Sequence, residues 1–209
     1  MLVTITNGVT LHVQEAGDPK RAPVIFVNSL GTDLRLWDAL IPLPPKDLQL
    51  IRFDKRGHGL SGCPDDPYTM NDLTSDTEGL IDALGLDPVI FVGPSIGGMI
   101  GQKSASRRPD MVRALVLSNA AAKMGDPASW NDRIQSISAN GLLSIESSIL
   151  DRWFGPRYRT TPEAKLWGAM LSRTPEVGYL ACCVANRKLR PDRDHARTPP
   201  PYARDCRLL

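Results

Sequence analysis

Four short runs in this chain are β-branched and almost continuously apolar: PVIFVNS at 23–29, LQLIRFD at 48–54, PVIFVG at 88–93 and RALVLS at 113–118. Half-solvated strands alternate apolar with polar positions, whereas strands covered on both faces of a parallel sheet read this way. Between them, NDLTSDTEGLIDALGL puts Leu73, Leu80, Ile81 and Leu84 on one helical face, with Gly85 at the C-cap position. IGGMIGQKSASRR, ending before Pro109, reads as a second helix. At the start, LVTIT and TLHVQEA flank Asn7-Gly8, a pair that favours a tight turn and an antiparallel hairpin. Strand alternating with helix predicts an α/β architecture, a mostly parallel sheet with helices on both faces, entered through that hairpin.

From about Ala120 onward the texture changes. SWNDRIQSISANGLLSIESSILDRWF and TPEAKLWGAMLSRTPEVGYLACCVA have helical spacing and no strand signal. The organisation expected is a core over 1–120, a helical lid over 121–186, and a tail over 187–209 that is non-native or disordered. The tail has seven basic and three acidic residues, four of the chain's 18 prolines, and no apolar period.

With 209 residues, 42% of them hydrophobic, the chain can bury one substantial core. A net charge of +2 gives no electrostatic case for nucleic acid or an anionic membrane. No apolar run approaches the roughly 20 residues of a membrane span, and MLVTITNGVTLHVQEAG lacks a basic-then-apolar leader. Cys63, Cys182, Cys183 and Cys206 show no metal-ligand spacing. The expectation is a cytoplasmic protein with reduced thiols, and no bound metal.

The run at 88–93 stops at a serine held between glycines. Gly93-Pro94-Ser95-Ile96-Gly97 fits G-x-S-x-G in the right context, a buried strand before it and a helix after it. In such an elbow the serine occupies a strained turn, so its neighbours must be very small. Ser95 would then present its hydroxyl above the carboxyl ends of the strands, where open α/β sheets bind ligands. A nucleophilic serine also needs donors for the oxyanion of a tetrahedral intermediate. The N–H of Ile96, at the helix N-terminus, is one candidate. Leu30, in the loop NSLGTDLRLW after the first parallel strand, is the other. Pro94 removes an N–H that this hole does not use. In FDKRGHGLSGCP, His58 reads as a hydrogen-bonded loop residue and not as a base, and His12, within a strand, as structural.

Together the blocks VNSLGTDLRLWD, IRFDKRGHGLSG, VGPSIGGMIGQ, LSNAA, SWNDRI, DRWF and GYLACC resemble the α/β-hydrolase family and, within it, the 3-oxoadipate enol-lactonases of the β-ketoadipate pathway of aromatic catabolism. The similarity runs from the N-terminus to about Asn186. It implies that Ser95 attacks the carbonyl of a small anionic lactone, forming an acyl-enzyme that water cleaves without a cofactor. An anionic substrate calls for a cation in the lid. Trp130 and Arg133, three apart on one helical face, could supply an apolar wall and a carboxylate partner.

The chain departs from that family after the lid, where no strand pattern follows and the final strands are expected to be absent. His195 is the only histidine beyond Ser95, and Asp192 and Asp194 beside it have no strand to separate acid from base. A change of reading frame from about 187–190 accounts for the tail: codons for 202–209, read one base later, permit TPVIAGS, which resembles the family's next strand. Resequencing the gene tests this. Two other readings stay open, a serine carboxylesterase acting on neutral esters and a non-catalytic remnant.

Overall fold

The computed structural model describes residues 1–5, 8–45, 47–86, 88–189 and 203–205. Strands β1 (Leu2–Thr4) and β2 (Thr10–Gly17) form the antiparallel entry hairpin. Asn7, half of the turn signal, lies outside the described residues. Then come β3 (Ala22–Val27), a 3-10 turn at Leu34–Trp37, β4 (Leu48–Phe53), α1 (Met70–Leu84), β5 (Val89–Pro94), α2 (Ile96–Arg107) and β6 (Val112–Ser118). The segment expected to be a lid holds α3 (Pro127–Asn140), α4 (Glu146–Trp153), α5 (Pro156–Arg159), α6 (Pro162–Ser172) and α7 (Glu176–Lys188). The last described strand, β7 (Ala203–Asp205), joins the sheet at its edge among the described residues.

The sheet order is β1-β2-β4-β3-β5-β6-β7. From β4 to β7 every pairing is parallel, and β2 meets β4 antiparallel. The apolar runs are central strands because both of their faces are needed. Ile25, Val27, Ile51, Phe53, Val89, Phe91 and Leu115 face one core shared with α1, α2 and α7. Val24, Phe26 and Leu50 face a smaller cluster capped by Trp37, whose ring stacks at a tilt on Phe26, 4.9 Å between centroids. That second cover stops short of β6, where Val116 is 41% exposed.

Local signals set the helix limits. Thr69 and Asp72 form a reciprocal capping box at the start of α1, and Gly85 ends the helix in the left-handed region. Asp126 caps α3 ahead of Pro127, while Gly141 breaks the long helical pattern before α4. Among the described residues no helix is long and apolar enough to cross a membrane.

The expectation that the final strands are missing needs one qualification. β7 pairs in parallel with β6 through Leu115↔Ala203, Val116↔Arg204 and Leu117↔Asp205. A three-residue strand can be set by backbone pairing at an open sheet edge, so it need leave no trace in the apolar pattern. Asp192, Asp194 and His195 lie outside the described residues, as do positions 190–202 and 206–209 of the segment assigned to a frame change.

Candidate active site

Ser95 sits between the last residue of β5 and the first of α2, with φ 52° and ψ −123°. A side chain in that region costs about 1–3 kcal/mol and persists only where its surroundings enforce it. The enforcement is steric. A Cβ on Gly93 would lie 2.5 Å from the Gly97 carbonyl carbon, and one on Gly97 would lie 2.2 Å from the Val27 oxygen. The first turn of α2 therefore rests directly on the end of β3. The Ser95 N–H donates to the Ser118 carbonyl at 3.0 Å, which ties the elbow to β6 as well. The hydroxyl is half-buried, and its contact among the described residues is the Met124 sulfur, 3.5 Å away.

The loop after β3 is held from the segment that follows β4. The Asn28 side chain donates to the Phe53 carbonyl at 2.8 Å and accepts from the Trp37 indole at 2.6 Å. His58 Nε2 accepts the Gly31 N–H at 3.0 Å, and Asp54 accepts the Leu34 N–H at 2.7 Å. Lys55 Nζ donates to the Ser29 carbonyl at 2.6 Å. Fixed in this way, Leu30 is buried beside the elbow. Among the described residues neither the Leu30 N–H nor the Ile96 N–H has an acceptor.

His58 is fully buried, with Nδ1 against the Arg56 carbonyl, and its pKa lies well below the usual value. Burial is the main cause and the Lys55 charge adds to it. A neutral imidazole is what the Gly31 N–H requires as acceptor. His12 is engaged elsewhere, bonded through Nδ1 to the buried Asp54 at 2.8 Å. Both histidines thus do structural work, and among the described residues none reaches Ser95. Burial pushes the Cys182 and Cys183 thiols up to about 12, so neither is a competing nucleophile at neutral pH. Among the described residues no cluster of His, Cys, Asp or Glu could hold a metal ion.

Two cavities meet at Ser95. The first, about 240 Å³, is lined by Leu30, Ser95, Trp130, Arg133, Arg152 and Tyr179, among others. The second, about 460 Å³, also touches Ser95 and is walled by Trp153, Phe154 and Trp167. Trp130 and Arg133 come together as their spacing implies, the guanidinium 5.1 Å from the indole centroid. Arg133 also donates to the Tyr179 hydroxyl at 3.4 Å, across to α7. Among the described residues neither Arg133 nor Arg152 pairs with a carboxylate. Ser95, Leu30, Trp130 and Arg133 therefore line one cavity, and Ile96 adjoins it at the head of α2. Arg152 and Tyr179 escaped the sequence reading, although DRWF and GYLACC, the blocks that hold them, were noticed.

A strand, a serine at positive φ and a helix packed glycine-to-backbone on the neighbouring strand define a class of hydrolase. A protein-family model described as alpha/beta hydrolase fold matches residues 22–140, and the chain belongs to that family. Within it, the chain is 34% identical over 179 residues to 3-oxoadipate enol-lactonase 2 of Acinetobacter baylyi, covering 85% of this chain and 67% of that protein. It is 31% identical over 191 residues to 3-oxoadipate enol-lactonase 1 of the same organism, covering 90% and 71%. Among solved structures, the enol-lactonase from Burkholderia xenovorans LB400 matches with a TM-score of 0.88 at 30% identity, over 93% of this chain and 76% of that one. The resemblance read from the sequence blocks is upheld, and so is the fold class.

Proposed function

We propose that this protein hydrolyses 3-oxoadipate enol-lactone, with Ser95 as nucleophile. The observation that carries the reading is a half-buried serine at positive φ, opening on a cavity with two guanidinium groups that no described carboxylate neutralises. The Ser95 oxygen adds to the lactone carbonyl as its proton leaves to a base. The carbonyl oxygen gathers negative charge against the N–H groups of Leu30 and Ile96. Collapse breaks the ring C–O bond, the enol oxygen takes a proton and tautomerises to the ketone, and water then cleaves the acyl-serine. Arg133, braced between Trp130 and Tyr179, meets the substrate's acetate arm, with Arg152 adding positive charge at the mouth. Neither described histidine serves as that base, since His12 is bonded to Asp54 and His58 to Gly31 and Arg56. A serine hydrolase without its base keeps only the catalysis, about 10³–10⁴-fold over water, that oxyanion donors and binding supply, and that remainder does not depend on the serine.

The test compares turnover of the acidic enol-lactone and a neutral aryl ester by the wild-type chain and by Ser95→Ala. Hydrolysis that depends on Ser95 and favours the acidic lactone supports the reading. Preference for the neutral ester points to the carboxylesterase alternative. Equal rates with and without the hydroxyl overturn both and leave the non-catalytic remnant.

A further inference from the structure

Lys55 is buried, 2% exposed, in the middle of a core, an expensive place for an ammonium group. Among the described residues no carboxylate lies within ion-pair distance of it. Its Nζ instead donates to two carbonyls of the loop after β3, Ser29 at 2.6 Å and Thr32 at 3.4 Å. The short one matters most, because the Ser29 carbonyl and the Leu30 N–H belong to the same peptide group. Positive charge on the oxygen of a peptide draws electron density from its nitrogen and makes its N–H a stronger donor; chains of hydrogen bonds reinforce one another by about 10–30% per bond.

We propose that Lys55 is a positioning residue that strengthens the oxyanion donor of Leu30 by polarising the Ser29–Leu30 peptide. The inference rests on the serine-hydrolase reading and adds to it a residue from outside the cavity. The neighbouring Gly31 N–H is taken up by His58 Nε2 at 3.0 Å, whereas the Leu30 N–H beside the elbow has no acceptor among the described residues. The Ser29 carbonyl also accepts the Thr32 hydroxyl at 3.0 Å and the Thr32 N–H at 3.4 Å, so what Lys55 adds to this peptide is the positive charge.

The charge can be switched. Burial lowers the Lys55 pKa to about 8, against the opposing pull of Asp54 from its own segment and Asp33 from the oxyanion loop, with the Cys182 thiol of α7, itself neutral in this range, also facing it. The other group facing it is the neutral His58. Polarisation by the ammonium therefore fades as pH rises through about 8, while a packing role would persist.

The experiment measures Ser95-dependent lactone hydrolysis by the wild-type chain and Lys55→Met between pH 7 and 10, together with the Leu30 amide ¹⁵N resonance of the wild-type chain over the same range. Loss of a whole oxyanion donor costs about 10²–10³-fold in kcat, so weakening one should cost about tenfold at pH 7, with KM within about twofold. The wild-type to Lys55→Met ratio should shrink at least about threefold by pH 10, and the Leu30 resonance should titrate near pH 8. A ratio that does not vary with pH, equal rates at pH 7, or a flat Leu30 resonance would overturn the proposal. If Lys55→Met does not fold, the wild-type resonance decides. If hydrolysis does not depend on Ser95, the hydrolase reading fails by itself, and the resonance still decides whether Lys55 polarises this peptide.

Discussion

Gly97→Ala isolates the geometric demand of the serine turn. The added methyl would lie 2.2 Å from the Val27 oxygen, 2.9 Å from its carbonyl carbon and 3.2 Å from the Asn28 oxygen. Ordinary contact begins near 3.4 Å, so about 1.2 Å of separation must open between the start of α2 and the end of β3. All three atoms are backbone, so no side chain can swing aside. Overpacking of this kind costs about 1–3 kcal/mol. The displacement also moves Ser95 and the Ile96 N–H away from the Leu30 loop, and a misplacement of about 1 Å in a reacting geometry can cost about 10²-fold. Gly85→Ala is the matched control. That glycine also has positive φ, 63°, but nothing lies within 4 Å of its would-be Cβ. It should cost about 1 kcal/mol through backbone strain alone. Urea unfolding gives the stabilities, and the rate of Ser95 labelling by a fluorophosphonate gives the state of the site. Gly97→Ala should lose both stability and labelling, by about 10²-fold, while Gly85→Ala loses only stability. Labelling of Gly97→Ala at the wild-type rate would refute the claim that the α2–β3 contact sets the serine turn.

Arg133→Ala should weaken kcat/KM for the acidic lactone by about 10–100-fold, the worth of one charged hydrogen bond, and leave a neutral ester within twofold; steady-state kinetics on both substrates checks this. Arg56→Ala should destabilise the fold by about 3–5 kcal/mol in urea, because it strips a buried two-pronged ion pair from Asp76 and a guanidinium 5.2 Å above the Tyr68 ring. His58 makes folding sensitive to acid. Its folded pKa is depressed, so below about 6.5 the unfolded chain takes up a proton that the folded chain refuses, and stability falls by up to about 1.4 kcal/mol per pH unit. Urea midpoints at pH 7.5, 6.5 and 5.5 should show this slope in the wild type, and a smaller one in His58→Gln.

Much of the architecture was legible because it is written locally. Val24 to Val27 and Val89 to Val92 are too uniformly apolar to be half-solvated strands, and both lie in the middle of the sheet. Gly85 announced a left-handed cap and supplies one. The turn at Ser95 was legible for a related reason, since its requirement for vanishing side chains falls on positions two residues away on either side. β7 was illegible on the same logic, because three residues pairing by backbone at an edge need no apolar pattern.

The rest of the site was hidden because it is assembled across the sheet order, which departs from chain order. β4 and β5 flank β3, so the loops after β3 and β4 and the turn after β5 meet at one end. Helical spacing could pair Trp130 with Arg133 within α3, but nothing in a run of residues says that Tyr179 of α7 will lie against Arg133 or that Arg152 of α4 will share the cavity. Lys55 is the sharpest case. Nothing in its place between Asp54 and Arg56 marks it as buried, yet α7 closes over it: Gly178 approaches Gly57 so nearly that a Cβ on it would lie 2.2 Å from the Gly57 oxygen. Two glycines, 121 residues apart, are what allow α7 to bury that amine beneath the loop after β3. On the proposed serine mechanism, the helices after β6 have two effects. They supply cations above Ser95, and they dry the lysine below Leu30, where low polarity makes each hydrogen bond to that peptide electrostatically stronger.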